Sequence, residues 1–104
     1  MRRAHGRPPL SNMEFSWDPK KAARNLTKHG VGFHEAATVF DDPLAYSFPD
    51  PDHSMGEGRL LTFGLSRQGR LLVVAYIYRA GALRIISARR TTRKERRIYE
   101  ESES

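Results

Sequence analysis

Apolar and polar positions change period several times along this chain, and each change marks an element. Glu14 to Trp17 alternates polar and aromatic residues, which predicts a short strand. Asp18-Pro19 then opens a helix, because the Asp side chain caps free N–H groups and the fixed φ of proline suits the first helical position. Trp17, just before that cap, is placed to staple onto Ala22. This helix is expected to reach His29 and stop at Gly30. Phe33, Ala36, Ala37 and Phe40 follow at i, i+3, i+4 and i+7, the stripe of a second helix, which Asp41-Asp42-Pro43 ends. Leu44, Tyr46 and Phe48 alternate with Ala45 and Ser47 and predict a half-buried strand, followed by a polar loop over 49–58. Three further strands are predicted near 59–65, 71–78 and 83–89, with hairpin loops at 66–70 and 79–82. Residues 71–78 are apolar on both faces, so that strand should be central. Gly64, Gly69 and Gly81 are expected at turns or bulges. Thr92-Arg93-Lys94-Glu95 is a capping box for a last helix. The order is β-α-α-β-β-β-β-α. It predicts an α+β fold, an antiparallel sheet packed against two N-terminal helices with a basic C-terminal helix.

A length of 104 residues bounds this to one domain with a modest core. Residues 1–12 hold three arginines, two prolines, a glycine and one large aliphatic side chain, too little to bury. They are expected to be a disordered basic leader, with the domain at 13–104 and Met13 as a candidate start. The longest apolar run is of strand length, so no membrane association is expected and the cytoplasm is the default location. The absence of cysteine excludes disulfides, thiolate chemistry and zinc–sulfur sites.

Charge changes the picture more than composition does. Seven of the eighteen Lys and Arg residues lie between Arg84 and Arg97, where only Glu95 opposes them. Residues 13–83, by contrast, balance eight cations against eight carboxylates. A neutral body with one concentrated cationic element is the footprint of a protein that grips polyanions.

Four groups of residues carry candidate chemistry. Asn25, Lys28 and His29 share the end of the first helix, where the dipole favours cations, so Lys28 and His29 can hold a phosphate or donate a proton. The loop residues Asp50, Asp52, His53, Ser54, Glu57 and Arg59 are dense in acids, yet they lack the spacing of a metal motif, and neither metal nor cofactor is expected. His53 beside Glu57 suits general acid–base work, while Asp52 and Ser54 also suit plain turn capping. Arg79, Arg84, Arg89 and Arg90 offer guanidinium forks for phosphate or for ion pairs with Asp50, Glu57 or Glu95. Arg84 and Arg89 have opposite parity in one strand and point to opposite faces unless a bulge intervenes. The last helix presents Arg93, Lys94, Arg96 and Arg97 and has only Ile98 and Tyr99 with which to dock, so its attachment is expected to be weak.

The segments FSWDPKKAARNLTKHGVGFHEAATVFDDP, DHSMGEGR (an H-S-x-x-E-x-R pattern), GRLLVVAYIYR and LRIISARRTTRKERRIYEE occur in this order from about Met13 to Glu101. Together they resemble the BrnT family of type II toxin–antitoxin toxins. The resemblance implies a RelE-like fold and a ribonuclease that cuts RNA and stops translation. It also implies a ribbon-helix-helix, BrnA-like antitoxin whose complex binds its own promoter DNA. By position it puts functional roles on Lys28, His29, His53, Glu57, Arg59, Arg79 and Arg89. Thr91 stands where the family often has alanine, and Tyr78 where a polar or acidic residue often precedes the arginine.

Metal-independent cleavage by such an enzyme uses the RNA 2′-hydroxyl as nucleophile. His53 or Glu57 would serve as base, His29 or Lys28 as acid, and Arg79 and Arg89 as phosphate clamps. Arg59, Arg84, Arg90, Arg93, Lys94, Arg96 and Arg97 would contact the RNA backbone. The alternative is a non-catalytic nucleic-acid-binding or protein-interaction module that uses the basic C-terminal helix.

Overall fold

The strand that is apolar on both faces takes the middle of the sheet. The computed structural model describes residues 13–52 and 58–102, so the expected leader at 1–12 and the loop residues His53, Ser54 and Glu57 lie outside the described residues. The elements are β1 (Phe15–Ser16), α1 (Pro19–His29), α2 (Phe33–Thr38) with a 3-10 turn at Val39–Asp41, β2 (Tyr46–Pro49), β3 (Leu60–Leu65), β4 (Leu71–Arg79), β5 (Ala82–Arg90) and α3 (Arg93–Ser102). The sheet order is β1-β5-β4-β3-β2, with β4 at the centre. The pairs β2–β3, β3–β4 and β4–β5 are antiparallel, as the hairpin spacing predicts, while the two-residue β1 adds a parallel edge to β5. No helix among the described residues is long and apolar enough to cross a membrane.

Local chemistry sets the helix ends. The Asp18 carboxylate accepts the Lys20 N–H at 3.0 Å, Pro19 follows, and Gly30 closes α1 in the left-handed region (φ 70°). The apolar stripe expected over 33–40 is split, because the chain tightens from α to 3-10 geometry after Thr38, yet Phe33, Ala36, Val39 and Phe40 all remain buried. Trp17 packs edge-on against Phe33 and His34, with ring centroids 5.9 and 4.9 Å apart.

Each face of the sheet has its own apolar cluster. On the face covered by α1 and α2, Leu72, Val74 and Tyr76 of β4 and Leu83, Ile85 and Ala88 of β5 meet Val31, Phe33, Ala36, Val39 and Phe40. On the opposite face a smaller cluster of Phe63, Leu71 and Val73 is closed by Tyr99 of α3. Gly64 is neither a turn nor a bulge residue. It pairs with Leu72 inside β3, and a Cβ there would stand 2.6 Å from Val39 Cγ1, so the 3-10 turn can approach the strand only over a glycine.

The β4–β5 pairing slips once. Ala75 pairs with Ser87 and Tyr76 with Ile85, which leaves Ile86 as an extra residue in β5. This bulge decides where the arginines point. Arg84 lies opposite Ile77 and Arg89 opposite Val73, two residues of equal parity on β4. Arg84 and Arg89 therefore share one face, together with Arg79, and it is the face away from α1 and α2. Arg90 pairs with Leu72 and belongs to the other face.

Candidate nucleic-acid interface

Helix α1 is exposed on most of its surface, and Asn25 is its one buried residue. The Asn25 amide donates to the carbonyls of Val31 (2.9 Å) and Ala88 (2.8 Å), and its oxygen accepts the Ala88 N–H (3.1 Å). One side chain thus closes the turn between α1 and α2 and caps the edge of β5 beyond the reach of β1. With the helix pinned this way, Lys21, Arg24, Asn25, Lys28 and His29 form one face at i, i+3, i+4, i+7 and i+8. Together with Ile86 and Ser87 at the bulge and with Arg59, they line an open groove of about 450 Å³.

Among the described residues, no carboxylate lines this groove. Lys28, His29 and Arg59 were expected at a site; Lys21, Arg24, Ile86 and Ser87 were not. The spacing of Lys21, Arg24 and Lys28 on one helix face was available in the sequence, whereas the bulge that brings Ile86 and Ser87 there was not. Arg59 also stands at the foot of the loop that carries His53 and Glu57, because the Asp50 N–H donates to the Arg59 carbonyl at 3.0 Å across the loop's base. Asp50 is buried, and its carboxylate accepts the Asp52 N–H at 3.0 Å.

The other arginines have separate surroundings. The Arg89 guanidinium is forked onto Glu95, with Nη1 to Oε1 and Nη2 to Oε2 both 2.8 Å, and Nη1 also donates to the Arg90 carbonyl. Glu95 Oε1 accepts the Thr92 N–H (2.8 Å) while the Thr92 hydroxyl accepts the Glu95 N–H (3.1 Å), which is the expected capping box. The Arg89 hydrogen bond holds the Glu95 carboxyl below its ordinary pKa against the upward push of burial, and the same contact raises Arg89. Arg79 is exposed at the β4–β5 turn, six residues along β4 from the partner of Arg89, or roughly 20 Å at the rise of a strand. Arg79 and Arg89 are too far apart, with one already forked onto Glu95, to clamp a single phosphate together. Arg90 lies on the helix-covered face, where its charge helps lower the Glu35 carboxyl. Arg93, Lys94, Arg96 and Arg97 are all exposed on α3, with Arg96 3.9 Å from Glu100.

A second ion pair is structural. Glu35 of α2 receives Arg70 Nε at 2.9 Å and the Ser66 hydroxyl at 2.8 Å, and Arg70 Nη2 donates to the Gly30 carbonyl at 3.0 Å. These bonds tie the β3–β4 turn to both N-terminal helices. The Arg70 contact outweighs burial and keeps the Glu35 carboxyl below its usual value.

Comparison with known proteins agrees with this architecture. A family model described as the ribonuclease toxin, BrnT, of type II toxin–antitoxin systems matches residues 17–95. The crystal structure of the Brucella abortus ribonuclease toxin, BrnT, superposes with a TM-score of 0.62 at 25% identity, covering 79% of this chain and 100% of that one. A comparison with curated proteins found no match. The family model spans the first helix, strands β2 to β5, the bulge and the capping box of α3, and the chain belongs to the BrnT family of type II toxin–antitoxin ribonuclease toxins.

Proposed function

We propose that this chain is a metal-independent endoribonuclease that seats RNA in the groove between α1 and the β5 bulge. The observation that carries the reading is the groove itself. Its ionisable lining consists of Lys21, Arg24, Lys28, His29 and Arg59, with no acid among the described residues there. A surface of this kind attracts a phosphodiester backbone and stabilises the extra charge of a phosphorane.

The 2′-hydroxyl attacks the adjacent phosphorus, the P–O5′ bond breaks, and the products are a 2′,3′-cyclic phosphate and a free 5′-hydroxyl. One group must remove the 2′ proton and another must supply a proton to the leaving 5′-oxygen. His53 or Glu57 is the base in this scheme, and Lys28 or His29 the acid. Support for pairing them comes from Arg59, which both lines the groove and closes the loop that bears His53 and Glu57. Arg59 is then the guanidinium nearest the reacting phosphate. Arg79 and Arg84, on the face away from the N-terminal helices, contact neighbouring stretches of RNA. Arg89 acts through Glu95, fixing α3 rather than touching substrate. The exposed cations of α3 remain for RNA or for the antitoxin, proposed to be a BrnA-like ribbon-helix-helix protein whose complex binds promoter DNA. Cleavage of cytoplasmic RNA would stop translation.

The test is cleavage of a short RNA in excess chelator. Unchanged cleavage with cyclic-phosphate ends is expected. His53→Ala, Glu57→Ala and Arg59→Ala should each lower the rate by about two to four orders of magnitude, the usual worth of acid–base and oxyanion groups. Activity abolished by chelator and restored by magnesium would overturn the metal-independent scheme.

A further inference from the structure

The wall of the groove extends beyond the residues that the chemistry requires. Lys21 and Arg24 precede Lys28 on the same face of α1, spanning about 10 Å along the helix at ~1.5 Å per residue. Both are exposed, and neither is ion-paired among the described residues, in contrast to Arg67, Arg70 and Arg89. Lys21 also sits where a cation is unfavourable. The first turn of α1 has no acidic residue and carries Lys20 and Lys21 against the positive end of the helix dipole. The Asp18 carboxylate that caps the helix offsets part of that placement, and an anion in the groove would offset more.

We propose that Lys21 and Arg24 bind backbone phosphates of a single RNA strand to one side of the bond being cut, so that α1 sets the path of the substrate into the site. The inference rests on the ribonuclease reading and adds two positioning residues that lie outside its chemistry. Each phosphate neutralised on a single strand contributes about 0.7 to the fall of log affinity with log salt concentration. Losing both contacts should therefore flatten the slope by about 1.4.

The probe is a 2′-deoxy oligonucleotide, which keeps the phosphates and lacks the attacking hydroxyl. Its binding to the full chain is followed by fluorescence anisotropy over a range of KCl concentrations. The double variant Lys21→Gln/Arg24→Gln is expected to bind more weakly with the flatter slope. Lys21→Arg/Arg24→Lys should retain the wild-type slope, which separates lost charge from lost structure. Lys20→Gln/Arg67→Gln removes the same charge away from the groove and should also retain it. An unchanged slope in the Gln variant overturns the inference while the ribonuclease reading stands. An equal drop in the off-groove control also overturns it, since net charge would then suffice. Unchanged oligonucleotide binding with weakened capture by the antitoxin overturns it as well and gives the stripe to the protein partner. If the wild type binds no oligonucleotide and cuts no RNA, both readings fall.

Discussion

Asn25 shows how much one polar side chain can hold. Helix α1 has no apolar stripe, and Leu26 is 56% exposed, so the three hydrogen bonds of the Asn25 amide do what packing does in most helices. Asn25→Ala leaves the Val31 carbonyl and both backbone groups of Ala88 without that partner. A loss of about 3 kcal/mol is expected, seen as a lower urea midpoint at unchanged slope. Asn25→Asp should not rescue it, because a carboxylate accepts from the Ala88 N–H but faces two carbonyls. A loss well under 1 kcal/mol would show that the helix is held elsewhere. Ala80 makes the opposite case. It has φ 52° beside Gly81 at 80°, the two left-handed positions of a tight hairpin between Arg79 and Ala82. A Cβ in that region costs about 1 kcal/mol, and asparagine tolerates it. Ala80→Asn should raise stability by roughly 0.5–1 kcal/mol in the same denaturation assay; a lower midpoint would mean the turn is not strained.

At the scale of elements, α3 is the instructive case. Its fastenings include the Arg89–Glu95 fork, the Tyr99 ring against Phe63, Leu71 and Val73, and the Tyr99 hydroxyl, which donates to Asp42 Oδ2 at 2.7 Å. The same Asp42 accepts the N–H groups of Leu44 (2.9 Å) and Leu65 (2.8 Å), so one carboxylate ties α3, β3 and the approach to β2. Glu95 has a depressed pKa in the folded chain, so its contribution is present above the unfolded carboxylate value and is lost as pH falls through the folded one. Acidification below about pH 4 should therefore loosen α3. Glu95→Gln should cost about 1 kcal/mol at neutral pH, a modest figure because the Arg89 side chain is 39% exposed and screened. The variant should also flatten part of the acid limb of Tm against pH. A limb identical to wild type would mean that other carboxylates, Glu35 foremost, carry it. A glutamine side chain at this position still allows a capping box, so the experiment isolates the ion pair from the cap.

For the whole molecule, the sheet has one well-covered face and one lightly covered face, and this division explains what the sequence revealed. Element order, the central place of β4, the caps of α1 and the Thr92–Glu95 box were legible because each rests on local chemistry: alternation, a proline, a paired Thr and Glu three apart. Lys28, His29 and Arg59 stand out in the sequence as candidates, but not their shared groove, which depends on Asn25 reaching Ala88 across sixty-three positions. The facing of Arg84 and Arg89 hung on Ile86, and no residue pattern announces a bulge of that kind. The sequence offers Arg89 both phosphate and Glu95 as partners, and periodicity alone does not choose between them; the fork onto Glu95, six residues on, is visible only in the folded chain. The same division sets the order of unfolding. The apolar cluster that Tyr99 of α3 closes is small, whereas β4 is bonded on both sides under the larger core. Native-state hydrogen exchange should find α3 amides opening at a free energy well below the global value, with β4 amides at that value. Tyr99→Phe removes the bond to Asp42 and keeps the ring, so it should lower the α3 opening energy by about 1 kcal/mol and leave β4 nearly unchanged. If α3 and β4 amides instead exchange together, the helix is an integral part of the core, and a partner could not engage its inner face without unfolding the sheet.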